Sequence, residues 1–234
     1  GLQTLLYRAT GRYIDMGDPA HPWPAFADAT AAVYANRDAV ALYRKHIRSL
    51  LARRNSVNGV AYAQDPAIMS WQLANEPRPG GSKAAIAANR EAYLAWIAET
   101  AALIRAGAPR HLVSLGQEGT QATNGDAGLV ADAHAQVDYV TAHIWPLNWG
   151  WVAGSDLAGT WPEGRRKVAD YNAAPVTIAE SLGKPQVIEE FGFPRDGEAY
   201  APEAATTFRE AYYGVIYDAV EASWRSGGVI AGSN

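Results

Sequence analysis

Short apolar runs alternate along the chain with longer segments whose apolar residues recur at helical spacing. That alternation is the signature of βα units around a parallel sheet. Val40, Tyr43, Ile47, Leu50 and Leu51 share one stripe and predict a helix over 36–53, with Asp38 in its first turn. Ile86, Tyr93, Ile97 and Ile104 predict a second over 83–106. A third is expected over 164–181, kinked or broken near Pro175, and a fourth over 201–224. Between them lie strand-like runs at 68–73, 112–115, 139–144, 187–190 and 229–231. Residues 1–35 carry the breakers Gly11, Gly17, Pro19, Pro22 and Pro24 and read as a long loop. Residues 116–128 also read as a loop, and Trp145, Trp149, Trp151 and Trp161 as a Trp-rich one. Trp71, Trp96 and Trp224 fall in strand or helix patterns and read as core.

Composition narrows the class. A chain of 234 residues is one large domain or two small ones. With 48% hydrophobic and 19% charged residues it is not a disordered chain. Lys and Arg number 20 against 24 Asp and Glu, and a net charge of −4 argues against a nucleic-acid partner. No apolar run approaches the roughly 18 residues of a membrane span. The absence of Cys removes disulfide scaffolds, thiolate metal sites and Cys nucleophiles. Eight Trp and 12 Tyr outnumber four Phe, a bias toward rings with a flat apolar face and a polar edge, as sugar binding uses.

The chemistry-bearing residues fall where strands are predicted to end. Glu76 follows the first strand, His143 ends the third and Glu190 the fourth. In a (β/α)8 barrel, catalytic groups occupy that end of the strands. A pair of carboxylates on different strands is what glycoside hydrolysis requires: one protonates the leaving oxygen, the other attacks or stabilises the anomeric carbon. Arg78 and Glu118 also lie just past strand ends; Glu118 could bond a sugar hydroxyl, or hold Arg78 or a loop in place. Asp15, Asp18 and Asp126 lack ligand-like spacing and no His-Glu-x-x-His occurs, so neither metal nor cofactor is expected.

The segment Trp71-Gln72-Leu73-Ala74-Asn75-Glu76-Pro77-Arg78-Pro79 resembles the Asn-Glu-Pro segment of glycoside hydrolase family 5, in the spelling of its endo-β-1,4-mannanases. Arg54-Asn55-Ser56-Val57-Asn58-Gly59, Asp65-Pro66-Ala67-Ile68-Met69, Ser114-Leu115-Gly116-Gln117-Glu118-Gly119 and Val187-Ile188-Glu189-Glu190-Phe191-Gly192-Phe193-Pro194-Arg195-Asp196 agree in order and spacing. The resemblance implies an α/β fold, a (β/α)8 barrel present from strand four to a clipped strand eight, as a single catalytic domain over 1–234. Strands one to three, with an Arg and an Asn that the family places near the nucleophile, would lie outside the chain.

The resemblance also implies roles. Glu76 matches the acid/base, Glu190 the nucleophile and Asn75 the partner of the sugar 2-hydroxyl. His143 matches a strand-six site residue. Glu189, by strand alternation, points away from Glu190 as a structural carboxylate. Trp145 stands where many relatives have a Tyr that bonds the nucleophile; its indole N–H could substitute, or its ring could be a sugar platform. Trp149 and Trp151 are candidate stacking residues. The implied activity is retaining hydrolysis of β-1,4-mannosidic bonds, by a monomeric enzyme exported to the periplasm or outside the cell. An endo-β-1,4-glucanase and a non-catalytic carbohydrate-binding fragment are the alternatives.

Overall fold

The computed structural model describes residues 2–15, 19 and 22–234; Gly17 and Asp18 lie outside the described residues. The chain forms two compact units, Gly1–Asp138 and Tyr139–Asn234.

The first unit contains α1 (Leu2–Thr10), α2 (Trp23–Thr30), α3 (Arg37–Ala52), β1 (Ser70–Gln72), α4 (Lys83–Gly107), β2 (Leu112–Ser114) and α5 (Ala127–His134). The long loop expected over 1–35 is therefore corrected to two helices and a 3-10 turn at Ala31–Val33. Pro22 is the N-cap of α2 and Pro24 sits in its first turn, where the missing N–H costs nothing. These prolines start a helix instead of breaking one. α5 was hidden in the same way by Gly125 and Gly128; the Asp126 carboxylate caps it by accepting the Leu129 N–H at 2.9 Å.

α3 and α4 follow their stripes closely. Asn36 caps α3 by accepting the Ala39 N–H at 2.9 Å, and Ser82 caps α4 by accepting from Ala85 at 3.2 Å. β1 and β2 pair in parallel, Trp71 opposite Val113. Tyr43, Ile47, Leu73, Trp96, Ile97 and Val113 contribute to one core, in which Tyr34, Tyr43, Tyr93 and Trp96 form an aromatic cluster. Trp96 is core, as expected. Trp71 is half-buried and donates its indole N–H to His111 Nδ1 at 2.8 Å.

The second unit contains β3 (Val140–Ile144), α6 (Leu157–Leu182), β4 (Gln186–Phe191), α7 (Thr207–Ser226) and β5 (Ile230–Ser233). Its strands are parallel, in the order β3-β4-β5, with α6 and α7 as the crossovers. α6 begins two turns earlier than predicted, because Asp156 caps it by accepting the Gly159 N–H at 2.9 Å. The helix continues through Pro162 and Pro175, so Trp161 belongs to a helix and not to the Trp-rich loop. α7 begins six residues later than expected: the Asp196 carboxylate accepts the Thr207 and Phe208 N–H groups at 3.2 and 3.1 Å, fixing the start there. Ile144, Trp161, Ile188, Phe193, Tyr212 and Ile216 form a second core. Trp224 is not part of it. It is 81% exposed, off the buried stripe of Tyr212, Ile216 and Ser223.

Candidate active site

The first unit brings together Asn75, Glu76, Arg78 and Glu118. Past β1 the backbone is tied down step by step. Leu73 N–H donates to Ser114 O at 2.9 Å and Glu76 N–H to Gly116 O at 2.8 Å. Glu76 itself sits in the left-handed region at φ +46°, an uncommon conformation for a residue other than glycine. Gly116 is required beside it: its φ is +76°, and a Cβ there would lie 2.1 Å from Ala74 O.

The residues after Glu76 are held as firmly. Tyr93, fully buried, donates its hydroxyl to Pro77 O at 3.0 Å and accepts from Gln117 Nε2 at 2.8 Å. Burial pushes the Tyr93 phenol up, so it keeps the proton it donates. Asn89 donates to Pro79 O at 2.9 Å. Arg78 forms a two-pronged ion pair with Glu118, Nε to Oε2 at 3.0 Å and Nη2 to Oε1, and donates from Nη1 to Gln121 O at 3.2 Å. Its guanidinium lies 5.0 Å from the centre of the Trp23 ring. Glu118 is fully buried. Of the two roles left open for it, the structure shows the second: its carboxylate is engaged by Arg78, and no sugar contact is assigned to it.

Asn75 is exposed and Glu76 half-buried. Both border a cleft of about 620 Å³ that is also lined by Trp23, Tyr43, Trp71 and Arg78. Trp23 went unnoticed as a site residue in the sequence, where it lay in a supposed loop. The Pro-Trp-Pro spelling of a helix start was its one local signal.

The second unit brings together His143, Trp145, Glu189 and Glu190. The β3–β4 pairing slips by one residue here: Ala142 faces Ile188, but His143 faces Glu190. Glu189 is the extra residue of this bulge, so strict alternation does not hold. His143 is fully buried, with Nδ1 3.3 Å from Glu190 Oε2 and Nε2 3.6 Å from Glu189 Oε2. One imidazole thus sits beside both carboxylates. Glu189 is nearly buried and Glu190 is a third exposed.

Trp145 donates its indole N–H to Glu190 Oε2 at 3.2 Å. The contact needs Gly192, where a Cβ would lie 2.4 Å from the far edge of the Trp145 ring. Any side chain at position 192 would push the indole away. The strand end is braced by Tyr212, whose hydroxyl donates to Ile144 O at 2.6 Å. Trp149 and Trp151 pack edge-on at 4.8 Å between ring centres, and both lie against Tyr171 of α6. They are partly buried against the second core, so packing accounts for much of their surface.

The comparisons with known proteins agree with these motifs. The family model for glycoside hydrolase family 5 β-mannosidase-like domains matches residues 4–234. Mannan endo-1,4-β-mannosidase 3 of Oryza sativa subsp. japonica is 31% identical over 212 residues, covering 81% of this chain and 41% of the relative. The family 5 mannosidase of Rhizomucor miehei superposes with a TM-score of 0.84 at 30% identity, over 100% of this chain and 56% of that one. The endo-β-1,4-mannanase of Thermotoga petrophila gives a TM-score of 0.61 at 26% identity, over 87% of this chain and 42% of that one. The chain spans about half the length of the curated relatives it matches. With the match running from residue 4 to the last residue, and with Asn75-Glu76 and Glu190 set as described, the chain belongs to glycoside hydrolase family 5.

Proposed function

We propose that this chain carries the reacting carboxylates of an endo-β-1,4-mannanase that cleaves with retention of anomeric configuration. Glu190 attacks the anomeric carbon to give a glycosyl ester, and Glu76 gives its proton to the departing glycosidic oxygen. Glu76 then takes a proton from water as that water attacks the ester, which frees Glu190 and restores the first configuration. Asn75 holds the 2-hydroxyl of the sugar being cleaved, a contact that gains strength in the transition state. Arg78 borders the sugar site from its clamp. The chain is read as strands four to eight of a (β/α)8 barrel, within one catalytic domain of an exported, monomeric protein.

The observation that carries this reading is the set of groups around Glu190. An N–H donor fixed on one carboxylate oxygen, beside a buried imidazole, holds the side chain in a single orientation, as positioned attack requires. Replacing Glu190 with Ala should lower turnover of mannan by about 10³-fold or more. Added azide should restore turnover and give a glycosyl azide of inverted configuration. NMR of the first product of the unmodified protein should show the β-anomer. Full activity of the Glu190→Ala protein, or an inverted first product, would overturn the proposal.

A second reading is hydrolysis of single mannose units from chain ends. It is favoured by the higher TM-score, 0.84 over the whole chain, with the Rhizomucor miehei mannosidase. Product analysis separates the two. Mixed manno-oligosaccharides early in the reaction indicate internal cleavage, and mannose alone indicates cleavage at ends.

A further inference from the structure

Tyr200 is 99% exposed, the most exposed large apolar side chain among the described residues. It stands on the loop from β4 to α7, and neither the core nor the groups around Glu190 use it. With Leu147, Pro194, Arg195, Glu198 and Arg209 it borders an open surface pocket of about 330 Å³. That volume is at the small end of the range for ligand pockets, roughly 300–1,000 Å³. Leu147 follows Trp145 by two residues and Pro194 follows Glu190 by four, so the pocket is built on the loops that leave the strands β3 and β4.

The loop is built, not slack. Arg195 donates from Nη1 to Ala204 O at 2.9 Å, and Asp196 N–H donates to Ala205 O at 2.9 Å. Asp196 is anchored at the head of α7. Desolvation works to raise its pKa, but the Phe208 and Thr207 N–H groups, the Thr207 hydroxyl and the Arg209 charge outweigh it and hold the carboxyl below its usual range. The Glu198 carboxylate lies against the backbone of Gly154, which braces the loop against the start of α6. Among the described residues the Arg209 guanidinium makes no hydrogen bond or ion pair, though its charge is felt by Asp196.

The pocket therefore offers unspent N–H donors on Arg209, further donors on Arg195, an acceptor in Glu198 and an open ring face in Tyr200. Donors and an acceptor together suit hydroxyl groups, which give and take hydrogen bonds. A bare anion would meet the Glu198 charge. The Tyr ring and the Leu147 and Pro194 walls suit the C–H face of a sugar ring. We propose that this pocket is a separate sugar-binding subsite, which holds one neutral pyranose unit of the polysaccharide beyond the units bound at Glu190. The proposal rests on the reading of this chain as a mannan hydrolase, and the test is chosen to separate the two.

The ratio of kcat/KM on mannohexaose to that on mannotriose is measured for the whole protein and for its Tyr200→Ala and Arg209→Gln variants. The expected result is a fall in that ratio of about 5- to 10-fold in each, the equivalent of one lost aromatic or polar contact. An unchanged ratio in both variants overturns the subsite. If the unmodified protein hydrolyses no mannan, the functional reading falls and calorimetric titration with mannohexaose decides the subsite alone. A dissociation constant about 5- to 10-fold weaker in the Tyr200→Ala protein supports the subsite; equal affinities, or no binding at all, overturn it. Tighter binding of a glucuronate-bearing oligosaccharide than of the neutral one overturns the neutral-sugar assignment.

Discussion

The two units hold their key carboxylates by different means. In the first, Glu76 is fixed through the main chain. Its own backbone is left-handed, its N–H is bonded to Gly116, and the residues behind it are pinned by Tyr93, Asn89 and the buried Arg78–Glu118 pair. That anchoring runs through main-chain atoms. In the second, Glu190 lies in β4 next to the bulge, and it is the side chain that is held, by the Trp145 indole and beside the His143 ring. In the proposed mechanism Glu76 serves two steps with opposite proton demands, and a fixed main chain keeps it in place for both. In the same proposal Glu190 presents one oxygen along one line, and a directed donor suits that. The difference teaches that a turn residue can be fixed through its main chain and a strand residue through its side chain.

The largest effect is expected from breaking the first kind of anchoring. Glu118→Ala leaves the mostly buried Arg78 guanidinium unpaired, and the loss of one partner from a buried pair costs about 3–5 kcal/mol. Denaturant unfolding should show that loss, and activity on mannan should fall with it. A stable and fully active Glu118→Ala protein would mean that the pair does not position the Asn75-Glu76 turn.

Breaking the second kind should show chiefly in the rate. Trp145→Phe keeps a ring but removes the N–H donor to a charged acceptor, an interaction worth about 1.5–3 kcal/mol. We expect kcat to drop about 10- to 100-fold with little change in KM. A rise in KM at constant kcat would instead make Trp145 a sugar platform. Gly192→Ala reaches the same bond from the other side. The added methyl collides with the indole and costs about 1–3 kcal/mol of overpacking, and its effect on kcat should not add to that of Trp145→Phe. Additive effects would show that Gly192 acts elsewhere.

The smallest effect tests the support behind the first unit. Asp28 accepts the Gly81 and Ser82 N–H groups at 2.7 and 2.8 Å, joining α2 to the start of α4. Desolvation opposes its ionisation, but the Ser82 hydroxyl and those N–H groups prevail and lower its pKa. A carboxyl whose folded pKa is lowered adds stability above its unfolded pKa, about 3.9, and loses it as the pH falls through the folded value. The thermal midpoint of Asp28→Asn should therefore lie slightly below that of the unmodified protein at neutral pH. The gap should close in acid, once the pH has fallen through the folded pKa. A gap that persists there would assign the difference to packing.

The sequence by itself determined the helices that carry both an apolar stripe and a cap, α3 and α4, since periodicity and capping are local. It also located the parallel strands within each unit, with Glu76 shortly past β1 and His143 and Glu190 near the ends of β3 and β4. It misled where one residue has two meanings: Pro22 and Pro24 open α2, Gly125 and Gly128 flank the start of α5, and Trp224 lies on an exposed face. Only the tertiary structure decided the rest. The bulge that sets Glu190 level with His143 depends on how β4 pairs with β3, and register is not written in either strand alone. The Arg78–Glu118 pair joins residues 40 positions apart, and the Trp145 bond to Glu190 spans 45. The left-handed Glu76 is held by a carbonyl on the neighbouring strand's loop. Each of these is a directed contact between groups distant in sequence, and a local pattern of apolar and polar positions carries no information about where such partners meet.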